Sequence, residues 1–465
     1  MGQTNLLHAQ LSHYWTQGAG ARSTLLGGAV VGHVEDNSAI FYNPAGLNHI
    51  QTSQLSLNAN VYGISYFNLR NGGGSGIDME NVRALLYPQL ISGIISPKRH
   101  DKVTVGFGLS TRHFGLIRLA FVENKRLDLT DLNAGNELYL ANFEFEGGMD
   151  EQWGTLAFGL RVNDEWKVGV SNIVSYRNQK SRLYSSVGLH GQDGSNLESV
   201  HALYTQRTVI DVVSLLWKLG VQYKSDTWSF GMTMTTPKLR VFGFSNSRIE
   251  IIQTGFAQLG LSRLDQSVVE QSSDVQAYYR QPWSFAVGLA HNFERSEVFF
   301  TAEFFTGIEP YDVLEVQSTN LAIIPNSSQR LVLPPGDESL ISATSASRPI
   351  LNVAVGYEYR LNESYELLSG FRTNYNYYDG PTDARIGFDS DLWDMYHLSF
   401  GFSKKSESGF LSVGLDNAFG YRRNIVQPIN YSNPVPDLAL TGFLTDDAQA
   451  FSYVGTLIVG YTRYF

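Results

Sequence analysis

From about residue 53 to its end, the chain repeats one unit: a segment in which apolar residues alternate with polar or small ones, a turn, and a second such segment. In 217–224 the odd positions are Trp, Leu, Val and Tyr, and the even positions are Lys, Gly, Gln and Lys. Side chains of a strand point alternately to its two faces, so this pattern predicts strands whose faces meet two different environments. The chain is therefore predicted to be all-β.

The connections between these segments fall into a short and a long set. Short turns are predicted near 97–101, 163–164, 225–226, 292–295, 361–364 and 404–408. Long connections are predicted near 67–85, 115–148, 178–208, 244–280, 308–347, 377–392 and 421–448. The predicted strands, about fourteen, are 53–66, 86–96, 102–114, 150–162, 165–177, 210–224, 227–243, 281–291, 296–307, 348–360, 365–376, 393–403, 409–420 and 449–465. An even strand number with short turns at one rim and long extracellular loops at the other is typical of an outer-membrane β-barrel. The alternative, a soluble two-sheet sandwich, would not sort its loops by length.

Composition excludes several function classes. The chain has 465 residues and no cysteine, which excludes disulfide scaffolds, thiol catalysis and cysteine-ligated metals. Its net charge of -10 argues against a nucleic-acid partner. No stretch approaches the roughly 20 apolar residues of a membrane helix.

Catalytic and metal-binding motifs are not found. The ten histidines are scattered without a metal-ligand spacing, and there is no G-x-S-x-G sequence. We therefore expect neither an enzyme nor a bound metal or cofactor, although a triad assembled from distant strands would leave no sequence motif.

The first fifty residues do not alternate and end in the irregular sequence Asn43-Pro44-Ala45. A barrel of about fourteen strands encloses a wide lumen, so we expect residues 1–50 to form a plug inside a barrel of residues 51–465. Small inward residues, many of them glycine, would leave room for it. The N-terminus has no basic and apolar leader, which we interpret as a mature form whose signal peptide is absent from this chain.

The segments 18–23, 36–39 and 41–47, with Asn43-Pro44-Ala45 just before the first strand, resemble the plug of FadL-type outer-membrane transporters, and 217–237 is also similar to that family. The resemblance covers essentially the whole chain. It implies passive transport of long-chain fatty acids or hydrocarbons across the outer membrane of a Gram-negative bacterium. It also implies sideways exit through a bend in the third strand, where Gly106 and Gly108 are the candidates. These glycines would equally make room for the plug.

Two further sets of residues are candidate ligand contacts. A carboxylate head group would bind an inward-facing cation, and strand parity gives four candidates: Arg112, Arg161, Arg360 and Arg372. Each could instead pair with an inward acid such as Glu303 or Glu358. By the same resemblance, the apolar and partly helical segment 251–271 would form an outer hydrophobic groove, through Ile251, Ile252, Phe256, Leu259 and Leu261. Alternatively, that segment packs on its neighbouring loop.

The expected partners are a hydrophobic small molecule and outer-membrane lipids, with no nucleic acid. The last strand ends on Phe465, which resembles the signal read by the barrel assembly machinery, although Arg463 interrupts its apolar row. Barrels similar to PorV of the type IX secretion system also carry an Asn-Pro-Ala sequence near the N-terminus. A secretion adaptor that holds exported proteins therefore stays open as the alternative function, and a general diffusion porin is disfavoured by the plug.

Overall fold

The computed structural model describes residues 12–96, 102–132, 135–191, 196–259, 265–315, 320–325, 340–341, 343–379 and 393–465, with the backbone alone for 320–325. The predicted turn at 97–101 and residue Leu261 lie outside these ranges. The strands are β1 Gln54–Arg70, β2 Met79–Ile95, β3 Val103–Leu127, β4 Glu137–Arg161, β5 Trp166–His190, β6 Val200–Lys224, β7 Trp228–Thr235, β8 Leu239–Thr254, β9 Gln266–Ala277, β10 Ser284–Asn292, β11 Ser296–Phe305, β12 Ile308–Glu315, β13 Asn320–Pro325, β14 Ala343–Ser347, β15 Ile350–Arg360, β16 Tyr365–Asn374, β17 Met395–Ser406, β18 Gly409–Ile425 and β19 Ala448–Tyr464.

These strands form one closed antiparallel barrel. β1 pairs with β19 from Gln54↔Tyr464 to Arg70↔Gln449, which joins the two ends of the sheet. β7 and β8 together occupy one wall position, as do β9 and β10, β11 and β12, and β14 and β15. Within the described part of the chain, β13 pairs only with β9. The nineteen strands therefore make fourteen wall positions, which confirms the predicted fold class.

The wall extends further outward than the sequence pattern predicts. β3, β4, β5 and β6 are each 25 residues long, so much of the predicted loops 115–148 and 178–208 is strand. Beyond the apolar band the outward face meets water, and alternation of apolar with polar residues fades although backbone pairing continues. For the same reason the described part of 251–271, predicted to be partly helical, consists mainly of the end of β8 and the start of β9, with a short 3₁₀ helix at Phe256–Leu259.

An apolar band surrounds the barrel. Leu219, Val287 and Phe400 are 43%, 41% and 50% exposed, and their sequence neighbours point into the lumen. In a soluble sandwich these side chains would be covered by a second sheet, whereas here they face outward as in a membrane barrel. Among the described residues, no helix has the length and apolarity needed to cross a membrane.

Residues 12–50 lie within the barrel, as a plug of short elements. α1 is Ala21–Leu25, α2 is Ala39–Tyr42, and a 3₁₀ helix spans Pro44–His49. α1 contacts β16 to β19, and the 3₁₀ helix contacts β3 to β6 on another side of the lumen. Nearly all of these residues are buried, so the plug is packed against the wall from several directions.

The outer mouth is closed by a second apolar core. The segment between β18 and β19, which includes a 3₁₀ helix at Pro436–Leu438, places Tyr431 and Leu440 in it, both fully buried. The backbone N–H of Tyr431 donates to the carbonyl of Gly73 at 2.8 Å, and the Tyr139 hydroxyl donates to that of Leu440 at 2.8 Å. We call residues 426–447 the mouth cap.

Candidate functional site

The Asn43-Pro44-Ala45 sequence fastens the plug to the wall. The Asn43 Oδ1 accepts a hydrogen bond from the N–H of Ala45 at 3.1 Å, and its Nδ2 donates to the carbonyls of Val31 at 2.9 Å and Val221 at 3.2 Å. Pro44 starts the 3₁₀ helix, where its missing N–H costs no hydrogen bond. One side chain therefore holds two plug segments and strand β6 together.

Inward glycines let the plug approach the wall at backbone distance. A Cβ at Gly220 would lie 2.1 Å from the Asn43 Oδ1, and one at Gly288 would lie 2.2 Å from the backbone nitrogen of Gly32. Eleven of the wall strands contribute twelve glycines whose added Cβ would meet the plug: Gly106, Gly108, Gly159, Gly169, Gly220, Gly231, Gly288, Gly356, Gly370, Gly401, Gly414 and Gly460. We call this set the glycine belt.

Buried ion pairs add to this attachment. Arg22 of α1 pairs with Glu358 of β15, and both side chains are at most 5% exposed. The Nδ1 of His33 lies 2.6 Å from the Oε1 of Glu297 on β11, and its Nε2 lies 2.6 Å from the Oε1 of Glu35. Burial alone lowers the pKa of His33, but the charge of Glu35 and the hydrogen bonds to Glu297 and Glu35 outweigh it and raise that pKa to about 9.

A small cavity, which we call the inner cavity, lies directly on the plug. Phe41 and Tyr42 form part of its floor, and Trp153 and Phe305 are among its wall residues. Its volume is about 40 Å³. Its aromatic lining suits an apolar group, since ring faces provide large contact areas with few polar atoms.

Two cations of the inner cavity, Arg112 and Lys218, form no ion pair among the described residues, although the Glu303 carboxylate lines the same cavity. The guanidinium carbon of Arg112 lies 5.2 Å from the Trp153 ring centroid and 5.6 Å from that of Phe41, and its buried Nε has no hydrogen-bond partner within the described part of the chain. The Lys218 Nζ donates to the carbonyl of Phe41 at 2.8 Å. A buried guanidinium held only by rings is suited to an anionic partner.

The other three predicted arginines differ in position. Arg372 lines the inner cavity, and its Nη2 lies 3.1 Å from the Oδ2 of Asp416. Arg360 lies at the short-turn rim, where its Nη2 contacts Asn292, and Arg161 is the last residue of β4 at the same rim. The structure thus brings Arg112 and Arg372 to one cavity and leaves Arg161 and Arg360 outside it.

A second cavity, which we call the upper cavity, extends along neighbouring wall strands from β16–β19 past β1 to β2, β3 and β4. Its volume is about 130 Å³. Leu85 and Tyr87 of β2 and Phe114 and Ile117 of β3 line its far end, where the Tyr87 and Phe114 ring centroids are 4.9 Å apart.

At that end the wall has an unpaired seam between β2 and β3. These strands have 17 and 25 residues, but they pair only from Leu90↔Ser110 to Ile95↔Val105. Above this point β2 stays paired with β1 and β3 with β4, and β3 has a bulge between Thr111 and His113. The upper cavity therefore borders a place where the wall lacks a backbone ladder.

Side chains close the seam. The Arg83 Nη1 of β2 donates to the carbonyl of Leu116 on β3 at 3.1 Å, and the Thr111 hydroxyl donates to the carbonyl of Pro88 at 2.6 Å. Such bonds break at less cost than a continuous ladder, because each is separate from its neighbours. The sequence pattern predicted neither the register irregularity nor these two bonds. Pro88 was the one indication, because a proline within a strand cannot donate a backbone hydrogen bond to its neighbour.

Gly106 and Gly108 lie in the paired part of β3. A Cβ at either position would come within 2.7 Å of the Ile40 side chain in the plug. They make room for the plug, while the seam begins beyond Ser110.

The predicted outer groove residues lie beside the mouth core. Ile251 and Ile252 belong to β8, and Phe256 is fully buried in the apolar cluster of the mouth, against which Ile251 and Leu259 also pack. This favours packing on neighbouring elements over an open groove. The mouth cap itself was predicted only as part of the long connection 421–448, although Ile429, Tyr431 and Leu440 were the apolar signal within it.

Comparison with known proteins supports this fold. No family model matches the chain. A protein of Neisseria meningitidis serogroup B, whose name describes it as an outer membrane protein, is 46% identical over 55 residues, which are 12% of this chain and 11% of that protein. The chain thus matches about a tenth of the length of that relative.

Three solved structures are similar over nearly their full length. A Pseudomonas aeruginosa FadL homologue has a TM-score of 0.55 at 13% identity and covers 100% of both chains. The Pseudomonas putida toluene transporter TodX has a TM-score of 0.60 at 15% identity, covering 97% of this chain and 99% of its own. The monoaromatic hydrocarbon channel CymD has a TM-score of 0.51 at 12% identity, covering 96% and 98%. The predicted resemblance to FadL-type barrels is confirmed at the level of the fold, which is that of a Gram-negative outer-membrane protein.

Proposed function

We propose that this protein carries hydrophobic small molecules inward across the outer membrane by passive diffusion. The observation that carries the proposal is the upper cavity, which has apolar side chains such as Leu85, Phe114 and Ile117 beside the unpaired seam between β2 and β3 and polar side chains elsewhere in its lining. The structural similarity to barrels described as a toluene transporter and a monoaromatic hydrocarbon channel supports it.

The path that we propose runs from the upper cavity sideways through the seam into the membrane. Straight passage is blocked, because the plug fills the lumen below. An apolar molecule gains roughly 25 cal/mol for each Å² of apolar surface buried on leaving water, and the membrane interior offers the same gain on the other side of the wall. No energy source is needed if the seam opens.

For the cargo, we propose molecules with an apolar body, long-chain fatty acids among them. Arg112 and Lys218 could bind a carboxylate at the inner cavity, whereas Arg372 is already paired with Asp416. Hydrocarbons such as toluene would occupy the upper cavity without needing these cations.

The test is uptake into cells that lack their own transporter for these molecules, with radiolabelled oleic acid and toluene as probes. Leu85→Trp fills the part of the upper cavity beside the seam and should reduce uptake of both probes about tenfold, which corresponds to about 1.4 kcal/mol added to the barrier for passage. Val355→Trp, on the lipid-facing side of β15, is the control and should leave uptake unchanged. Equal uptake in all three proteins, with folded barrels, would contradict the proposal.

Mass spectrometry of an organic extract from the purified protein addresses the alternative, a PorV-like secretion adaptor. Fatty acids or hydrocarbons enriched over a mock purification from the same membranes support transport. An empty extract with a protein bound in equal amount would favour the adaptor.

We also propose that the barrel assembly machinery reads the C-terminal strand. Phe465 is 71% exposed, and its N–H donates to the carbonyl of Ser53 at 2.9 Å, beside the closing pair of β1 and β19. Phe465→Ala should slow assembly without altering uptake per folded barrel.

A further inference from the structure

A groove on the lipid-facing surface lies directly below the seam. It is open outward, measures about 690 Å³ and is lined almost entirely by apolar atoms. Its outward side chains come from six neighbouring strands: Leu55, Ile91, Phe107, Leu109, Leu156, Val174, Leu215 and Trp217. None of its lining residues is charged.

The groove arises from a missing side chain. Leu109, Gly154, Val174 and Leu215 form one cross-strand row on β3, β4, β5 and β6. A Cβ at Gly154 would meet only the carbonyl oxygen of Val174, at 3.9 Å, so the space above this glycine is open. Within a row of branched side chains, Gly154 therefore leaves a depression in the apolar band.

The groove begins where the seam ends. Leu90↔Ser110 is the last pair below the seam, and the next pair, Ile91↔Leu109, belongs to the groove. From β2 to β6 the row crosses four inter-strand spacings, or about 19 Å at 4.8 Å each. That length suits an extended alkyl chain better than a single ring.

We propose that this groove is an exit site for the cargo: the alkyl chain of a molecule leaving through the seam lies along it, from Ile91 toward Leu215, before it enters the bilayer. This proposal rests on the transport function proposed above. The chain leaves the upper cavity and meets apolar side chains at once, while its polar head is still beside the seam. The bilayer outside the wall is itself hydrocarbon, so only packing distinguishes the groove from the rest of the apolar band. The alkyl chain therefore occupies the groove only briefly on its way into the bilayer.

Photolabelling tests the proposal. The full-length protein in nanodiscs is irradiated with a palmitic acid analogue that carries a diazirine near its methyl end, and the labelled peptides are identified by mass spectrometry. We expect label at the upper cavity and at the groove strands, with the groove enriched about two- to threefold over the lipid-facing side of β15, since packing alone favours it.

Two matched substitutions sharpen the result. Val174→Trp fills the groove, and Val355→Trp makes the same change on the far wall; these valines are 48% and 46% exposed. Val174→Trp should abolish the enrichment and Val355→Trp should not. Leu85→Trp, which obstructs the way to the seam, should lower groove labelling to the far-wall level.

The outcomes separate the two proposals. Label in the upper cavity without groove enrichment overturns the exit site and leaves transport standing. Groove enrichment that persists in Leu85→Trp shows that the probe arrives from the bilayer, which also overturns the exit site. Absence of label from the upper cavity contradicts the transport function itself.

Discussion

His33 is a single side chain that joins the plug to the wall through its charge. It lies between Glu297 of β11 and Glu35, and Lys224 of β6 reaches Glu35 at 3.1 Å. The Lys224 Nζ also lies 2.9 Å from the Nε2 of His33, and His49 is a further titratable neighbour, with ring centroids 5.5 Å apart. Protonated His33 can donate to both carboxylates, and neutral His33 to only one.

This pairing predicts a pH dependence of plug attachment. The pKa of His33 is about 9 in the folded protein against 6.5 for a free histidine, so its stabilisation is complete below about pH 6.5 and is lost as pH rises through about 9. The difference amounts to about 3 kcal/mol. In planar bilayers, transient openings of the plugged barrel should become more frequent as the pH is raised from about 6.5 to about 9.

His33→Gln is the control for this effect, since glutamine keeps a hydrogen-bond donor but does not titrate. Its opening frequency should be nearly flat over the same range. A wild-type protein that opens more often as pH falls toward 6.5 would contradict the assignment of His33.

Strands β2 and β3 are the elements on which transport depends. Their seam is held by Arg83 to Leu116 and by Thr111 to Pro88, each a single hydrogen bond. Arg83→Met should raise the uptake rate about fivefold if opening is limiting, because a bond of this kind contributes about 1 kcal/mol. The measurement is initial uptake of oleic acid per folded barrel.

Arg118→Met serves as the matched control. Arg118 lies on the neighbouring strand β3 and is exposed, and it makes no hydrogen bond or ion pair among the described residues. Faster uptake in both variants would point to general loosening of β3, and slower uptake in Arg83→Met would show that Arg83 guides cargo instead.

How far these elements could be predicted depends on what each one requires. Alternation located the parts of the strands inside the membrane, because there the two faces have different surroundings. It could not place the seam, since a seam is an absence of pairing between two strands that each look regular. Nor could it reveal the mouth cap, whose Tyr431 and Leu440 are buried by tertiary contacts that leave no periodic pattern.

In the molecule as a whole, plug and barrel fit through the glycine belt. Inward glycines such as Gly220 and Gly288 were visible in the sequence as room in the lumen, and the structure shows plug atoms in that room. The positions of the four arginines were harder to predict. Strand parity shows whether a side chain points into the lumen but not how far along the barrel axis it lies. That position along the axis separates Arg112 and Arg372 from Arg161 and Arg360.

Gly288→Ala should therefore loosen the plug while the barrel stays closed. Its Cβ would lie 2.2 Å from the backbone nitrogen of Gly32, a contact that neither backbone can relieve without moving. Conductance in planar bilayers should rise toward that of a variant lacking residues 3–47, which sets the upper limit. Gly154→Ala, with open space above it, should conduct like the wild type.

A low conductance in both Gly288→Ala and the deletion variant would show that the plug is not what closes the lumen. Loss of the heat-stable folded form in Gly288→Ala would show instead that the barrel cannot close around a displaced plug.

The same belt constrains the order of biogenesis. The glycine belt contacts the plug at backbone distance on eleven strands, so a folded plug cannot pass into a barrel that is already closed. A plug that is already folded must therefore be in place before the first and last strands, β1 and β19, pair with each other. The step that completes the barrel is then also the step that encloses the N-terminal segment.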